Sequence, residues 1–139
     1  MGRALIKEVM NMAAKKIVVV DDDKNIRKTF DLLLGKKYRV YSAKDSKEAL
    51  TRFRNSPADL VIADYKLPDG NGLDLIKKLR ATGFEGGAML ISAHPDLVPV
   101  EDMSRFAISH FFVKPLDLAL LNVSIDRVLQ PKEPVESAA

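Results

Sequence analysis

The chain has 139 residues and a net charge of +3; 47% of its residues are hydrophobic and 29% are charged, which fits one globular domain with a single core. It contains no cysteine, which excludes disulfides, thiolate metal sites and cysteine nucleophiles. Basic and acidic residues alternate, no apolar run approaches the ~20 residues of a membrane span, and no signal-peptide core is present. We therefore expect a cytoplasmic protein with no direct contact to nucleic acid or membrane.

Residues 1–14 form an N-terminal extension, interpreted as a start-site artefact or a frayed tail, with a docking helix as the other alternative. Residues 15–130 form the predicted domain, and residues 131–139 are a linker or disordered tail. Apolar runs predict strands at residues 17–20, 38–43, 60–64, 88–91 and 111–113. Apolar stripes predict helices at 26–34, 46–56, 73–80, about 100–107, and 118–129, and the fourth has the fewest apolar positions. Asp23 and Asp45 are expected to cap the first two helices.

Five strands that alternate with five helices through short connections predict an α/β fold. The sheet is expected to be parallel, covered on both faces, with right-handed crossovers. The third strand ends in Asp64. A single carboxylate at this position fits three alternative roles: a metal ligand, a nucleophile or the cap of the next turn. Pro68, Gly70 and Gly72 are expected to exclude regular structure until Leu73.

Polar side chains follow four of the five predicted strands, where each strand ends. They are Asp21, Asp22, Asp64, Ser92 and Lys114. Carboxyl ends of parallel strands meet at one edge, where open α/β sheets bind ligands. Three carboxylates together repel one another and resist burial, so a cation is expected among them. Ligands that are all oxygen favour Mg²⁺, with Mn²⁺ as the second choice.

A carboxylate beside Mg²⁺, a lysine and a hydroxyl can accept a phosphoryl group and form an acyl phosphate. The metal and the lysine neutralise the phosphoryl oxygens. The hydroxyl of Ser92 would then bond the new oxygens and draw its loop inward, which is the local event that a phosphorylation switch needs.

Four fragments in this order resemble the receiver domain of two-component response regulators, the CheY-like family. They are Asp21-Asp22, Asp64 with Pro68 and Gly72 at +4 and +8, Ser92-Ala93, and Lys114-Pro115. The resemblance covers about residues 16–129. It implies a flavodoxin-like, doubly wound sheet with strand order 2-1-3-4-5. It also implies phosphorelay signal transduction, in which a histidine kinase or phosphotransfer protein supplies the phosphoryl group. The protein is then not an enzyme with an external substrate, although it catalyses its own phosphorylation and dephosphorylation.

The resemblance assigns a role to each matching position. Asp64 is the phosphoacceptor. Asp21 and Asp22 bind Mg²⁺ together with Asp64 and the backbone carbonyl of Lys66. Lys114 contacts the phosphoryl group, and Ser92 and Phe111 are the switch pair. The Lys114–Pro115 peptide bond is expected to be cis. Lys66 and His94 flank the phosphate at positions that tune its lifetime in the family. His94 is interpreted as an exposed loop residue, with a residue that positions attacking water as the alternative. Ala107 stands where the family commonly has glycine.

In the family, helix four, strand five and helix five form the face that binds a partner after the switch. The partner is a downstream protein or a missing output domain, so a stand-alone protein and part of a longer regulator both stay open, as does dimerisation on activation. A phosphohydrolase of the haloacid dehalogenase type is disfavoured, because Lys66 stands where that family needs a second acid and no cap insertion is present. A pseudo-receiver is disfavoured because every chemical position is filled.

Overall fold

A computed structural model describes residues 14–130, and the predictions for residues 1–13 and for the tail at 131–139 lie outside the described residues. The strands are β1 Lys16–Val20, β2 Arg39–Ala43, β3 Leu60–Asp64, β4 Gly87–Ser92 and β5 His110–Val113. The helices are α1 Lys24–Leu34, α2 Ser46–Asn55, α3 Gly72–Ala81, α4 Val100–Arg105 and α5 Leu118–Leu129. None of these helices is long and apolar enough to cross a bilayer.

The five strands form one parallel sheet in the order β2-β1-β3-β4-β5, as predicted. The register aligns the carboxyl ends of the neighbouring strands at one edge. Asp64 at the end of β3 lies opposite Ile91, and Ser92 at the end of β4 lies opposite Val113. The polar residues that end or follow these strands therefore gather at this edge.

Alternate residues of each strand contact opposite layers of the core. In β1, Ile17 and Val19 pack with Phe30 of α1 and Ile125 of α5, whereas Val18 packs in the layer that α2 and α3 cover. The apolar residues of β1, β3 and β4 are almost fully buried. Each large one contributes roughly 1.5–3 kcal/mol of burial free energy, which is what holds the helices on both faces.

Side-chain caps start four of the five helices. Asp23, Asp45, Asn71 and Asp117 each accept a hydrogen bond from a backbone N–H of the first turn, which confirms the two caps that were predicted. Helix α4 differs, because Pro99 precedes it without a side-chain cap and none of its six residues is buried. The sparse apolar pattern of this segment agrees with that weak packing.

Strand β2 begins at Arg39 rather than at Tyr38, several other ends shift by one or two residues, and two differences have a backbone cause. Helix α4 stops at Arg105 instead of continuing to Ala107, because Ala107 has φ 55°, a left-handed conformation that ends a helix. The segment expected to be irregular contains a short antiparallel ribbon of Lys66–Leu67 with Gly70–Asn71, and α3 begins already at Gly72. The ribbon turns the chain back toward the end of β3.

Candidate functional site

Asp64 lies at the carboxyl end of the central strand and is 6% exposed. Its Oδ2 accepts a hydrogen bond of 2.7 Å from Lys114 Nζ, and its Oδ1 accepts one of 3.1 Å from the backbone N–H of Lys66. A charge-assisted bond and a backbone bond therefore fix the orientation of this carboxylate.

The loop after β3 closes tightly on the strand at Gly72. The Gly72 N–H donates to the carbonyl of Tyr65 at 2.9 Å. A Cβ at this position would overlap the backbone carbonyl oxygen of Asp64 and lie 2.9 Å from Ala63 Cβ. The first turn of α3 can approach Asp64 this closely only because residue 72 has no side chain.

Three carboxylates lie together at this edge. One oxygen each of Asp21, Asp22 and Asp64 falls within 4.8 Å of the others. Asp21 is fully buried, and its Oδ2 accepts a 3.1 Å bond from Lys114 while its Oδ1 accepts a 2.9 Å bond from the Asp23 N–H. Asp22 is exposed and lines the cleft. Hard oxygen donors at this spacing fit Mg²⁺ or Mn²⁺.

The electrostatics of this cluster leave negative charge in excess. Burial raises the pKa of Asp21 to about 6, and the charge of Asp64 adds to that rise. Burial alone would lower the pKa of Lys114, but its hydrogen bonds to Asp64 and Asp21 outweigh burial and raise it. One ammonium therefore faces three carboxylates, and a divalent cation would relieve their repulsion.

A cleft of about 360 Å³ opens above Asp64. It is lined by Asp22, Asp64, Lys66, Leu67, Pro68, Ser92, Ala93 and His94. Ser92 is 1% exposed, and its Oγ accepts a 2.9 Å hydrogen bond from the N–H of His94. The structure thus places the predicted hydroxyl and the predicted acceptor in one cleft, with Lys66 and His94 beside them.

Lys114 reaches the site from the end of β5. Its backbone N–H donates to the carbonyl of Ser92 at 2.9 Å, which joins the β4 and β5 loops. The Lys114–Pro115 bond is cis, as expected. Phe111 is half-buried and packs against the core layer under α2 and α3, so its ring lies on the same side of the sheet as α4.

Two site contacts were missed from the sequence. Asp69 lies in the turn after Asp64, and its carboxylate accepts bonds of 2.9 and 3.0 Å from the N–H groups of Ser46 and Lys47. The bond from Ser46, followed by the one from Lys47, lowers the pKa of Asp69. The two bonds also connect the loop after Asp64 to the start of α2. Arg27 donates from its guanidinium to the Asp21 carbonyl at 2.7 Å. The Asp69 bonds join segments that no local pattern relates, because their partners are 23 and 22 residues apart in sequence.

The family model for the response regulator receiver domain matches residues 17–126 of this chain. The chain belongs to the response regulator receiver domain family. Receiver domains of this family act in two-component and phosphorelay systems. The match spans the sheet from the second residue of β1 onward and all of the predicted site positions.

The curated relatives that the chain matches differ widely in length. The chain is 31% identical over 124 residues to response regulator protein PilR of Pseudomonas aeruginosa, and 34% identical over 128 residues to transcriptional regulatory protein FlgR of Helicobacter pylori. These matches cover 88% and 87% of this chain, which spans only 28% and 32% of those proteins. It is also 24% identical to sporulation initiation phosphotransferase F of Bacillus subtilis, over 87% of this chain and 98% of that one.

Solved receiver domains share the fold. The BeF3-activated DrrB receiver domain matches with a TM-score of 0.72 and 26% identity, over 84% of this chain and 97% of that one. The response regulator TrrA of Thermotoga maritima, in complex with Mg(2+)-BeF, matches with a TM-score of 0.72 and 29% identity, over 83% and 99%.

Proposed function

We propose that this chain is the phosphoacceptor of a two-component or phosphorelay system and that Asp64 receives the phosphoryl group. The observation that carries the proposal is the position of Asp64, bonded to Lys114, within 4.8 Å of two further carboxylates and in one cleft with Ser92. An Asp64 oxygen attacks phosphorus of a phosphohistidine. The O–P bond forms, the P–N bond breaks, and the histidine of the kinase or phosphotransfer protein leaves as imidazole.

Asp21, Asp22, Asp64 and the carbonyl of Lys66 would hold Mg²⁺, or Mn²⁺ in its place. The cation supplies charge neutralisation at the phosphoryl oxygens. Lys114 orients Asp64 for attack through its 2.7 Å bond and provides the second positive charge at the site. The raised pKa of Lys114 keeps this ammonium charged at neutral pH.

The switch then runs through Ser92 and Phe111 to the face formed by α4, β5 and α5. That face exposes apolar side chains that suit a protein partner: Val100, Val113 and Leu118 are 77%, 47% and 41% exposed. The partner is a downstream protein or an output domain, and dimerisation on activation would use the same face. The long relatives PilR and FlgR support the output domain, while the short phosphotransferase supports a protein that acts alone.

We propose further that residues 15–130 are the receiver unit and that residues 1–14 and 131–139 lie outside it. The family match over residues 17–126 and the end of α5 at Leu129 support this division.

Intact mass after incubation with acetyl phosphate tests the function, with and without Mg²⁺. We expect a single Mg²⁺-dependent phosphoryl adduct that is lost in Asp64→Asn. The matched control is Asp31→Asn, an exposed aspartate of α1, which should keep the adduct. An adduct that persists in Asp64→Asn contradicts the acceptor assignment, and wild-type protein that binds Mg²⁺ but forms no adduct and no beryllofluoride complex favours a pseudo-receiver.

A further inference from the structure

One arginine connects two turns at the amino edge of the sheet, opposite the phosphoacceptor. Arg80, near the end of α3, donates to four backbone carbonyls: Phe84 at 3.0 Å, Gly86 at 2.7 Å, Phe106 at 3.0 Å and Ala107 at 3.1 Å. Among the described residues, no carboxylate forms an ion pair with it. The planar guanidinium therefore bonds the α3–β4 turn and the α4–β5 turn at the same time.

The α4–β5 turn is strained at Ala107. The Ala107 N–H donates to Ser104 at 3.2 Å and the Ile108 N–H donates to Met103 at 2.8 Å, the pair of bonds that ends a helix with a left-handed residue. Glycine is the usual residue in that place, since a Cβ disfavours a φ of 55°. The turn thus holds an unfavourable backbone conformation at Ala107. Arg80 binds the carbonyl of Ala107 and that of the preceding residue, Phe106.

Apart from Met103 and Phe106, which pack partly buried against the core, few other contacts hold α4 in place. The helix has no buried residue and no side-chain cap. Its ion pair to α3, Lys77 Nζ to Asp102 Oδ2 at 3.0 Å, is partly exposed, and exposed pairs contribute little. Arg80 is therefore the main directional contact between α3 and the end of α4.

The α4–β5 turn lies between two site residues along the chain. The segment that contains α4 begins directly after Ser92, and the strand that follows the turn ends beside Lys114. Strand β5 is only four residues long and pairs with β4, with Phe111 opposite Leu90. A displacement of the turn must therefore move β5, and with it Phe111 and the backbone bond from Lys114 to Ser92.

We infer that Arg80 is a positioning residue that sets how readily the site at Asp64 switches. It holds the α4–β5 turn in the arrangement in which both Asp64 oxygens accept hydrogen bonds from Lys114 and Lys66. The inference rests on the proposed function, because it concerns the coupling of the phosphoryl group to the α4–β5–α5 face. A change that weakens the hold of Arg80 favours the other state of the switch, the one that the phosphorylated site adopts. By linkage, such a change tightens the binding of a phosphoryl mimic at Asp64.

The test is the affinity of the whole chain for beryllofluoride in the presence of Mg²⁺, with the midpoint of thermal unfolding measured in parallel. We expect Arg80→Met to bind roughly fivefold tighter than wild type and Arg80→Lys to fall between the two, because an ammonium cannot reach four carbonyls. The control Lys78→Met, an exposed neighbour on α3, should stay within about twofold of wild type.

A second variant acts on the same turn with Arg80 left in place. Ala107→Gly relieves the strain of the present arrangement, so we expect weaker beryllofluoride binding than in wild type, the opposite direction from Arg80→Met. This variant carries the test if Arg80→Met does not fold.

The outcomes separate the inference from the proposed function. A lower unfolding midpoint with unchanged or weaker beryllofluoride binding in Arg80→Met makes Arg80 purely structural and overturns the inference. Unchanged binding in Ala107→Gly overturns it as well. Wild-type protein that does not bind beryllofluoride at all is a failure of the proposed function, and the inference then fails with it.

Discussion

At the scale of the residue, Ala107 shows how one side chain sets the shape of a loop. The family resemblance marks this position as one that commonly holds glycine, and the backbone there adopts φ 55°, the conformation that glycine tolerates best. The chain keeps that conformation with alanine because the two helix-ending bonds and the Arg80 bond hold the turn.

We expect Ala107→Gly to raise the free energy of unfolding by about 1 kcal/mol, since the substitution removes the cost of a left-handed alanine. Denaturant unfolding followed by circular dichroism measures this. The control is Ala81→Gly at the end of α3, where glycine should destabilise the helix instead. A loss of stability in Ala107→Gly would mean that the turn is not strained.

Tyr38 was predicted to begin the second strand, but it lies just before β2, is 3% exposed and donates from its hydroxyl to Asp126 of α5. Lys37 Nζ also reaches Asp126, at 2.7 Å. Burial raises the pKa of Tyr38, and the hydrogen bond to Asp126 adds to that rise. Burial alone would raise the pKa of Asp126, but the bonds from Lys37 and Tyr38 outweigh it and lower that pKa.

These two shifts predict a pH window for the contact. Because the pKa of Asp126 is lowered, its contribution is present above the ordinary value of 3.8 and is lost as the pH falls through the folded pKa. Because the pKa of Tyr38 is raised, its contribution is present below the ordinary value of 10.0 and is lost as the pH rises through the folded pKa. The contact therefore stabilises the fold throughout the neutral range.

Absorbance of tyrosinate during alkaline titration checks this window. Tyr38 should ionise above the ordinary pKa of 10.0. Asp126→Asn should bring the pKa of Tyr38 back toward that value, and Asp96→Asn, an exposed control in the β4–α4 loop, should not. Ionisation of Tyr38 at its ordinary value in folded wild-type protein would show that the Tyr38–Asp126 bond is not formed in solution.

At the scale of the element, the junction of β3 and α3 positions the phosphoacceptor. Helix α3 starts against the end of β3, and the ribbon of Lys66–Leu67 with Gly70–Asn71 forms the connection. Proline and glycines suggested a loop without regular structure, whereas antiparallel bonds between residues so close in sequence are invisible to periodicity. The close contact at Gly72 is what brings the loop back to Asp64.

We expect Gly72→Ala to destabilise the fold by about 2 kcal/mol or more, because the added Cβ overlaps the Asp64 carbonyl and the backbone must shift. The shift moves the acceptor carboxylate, so the rate of phosphorylation by acetyl phosphate should fall as well. Chemical denaturation and a time course of intact mass measure the two effects. Wild-type stability and rate in Gly72→Ala would show that this approach is not tight in solution.

At the scale of the whole molecule, the strands and the strand-end chemistry could be predicted because each depends on short-range patterns, whereas the strand order of the sheet was implied by the family resemblance. Buried apolar runs mark the strands, and every proposed site residue except Lys66 and Phe111 stands at or just after a strand end. The long-range contacts could not be predicted. Asp69 binds the start of α2, and Arg80 binds two turns. In the sequence both are ordinary charged residues, and only the packing of separate elements gives them these partners.

The location of the phosphoryl group decides whether Asp64 is the phosphoacceptor. Protein treated with acetyl phosphate and Mg²⁺ is reduced with borohydride, which converts an aspartyl phosphate to homoserine, and the digested peptides are sequenced by mass spectrometry. We expect homoserine at position 64 alone. Homoserine at position 21 or 22, or modification spread over several aspartates, would contradict the assignment of Asp64 as the acceptor.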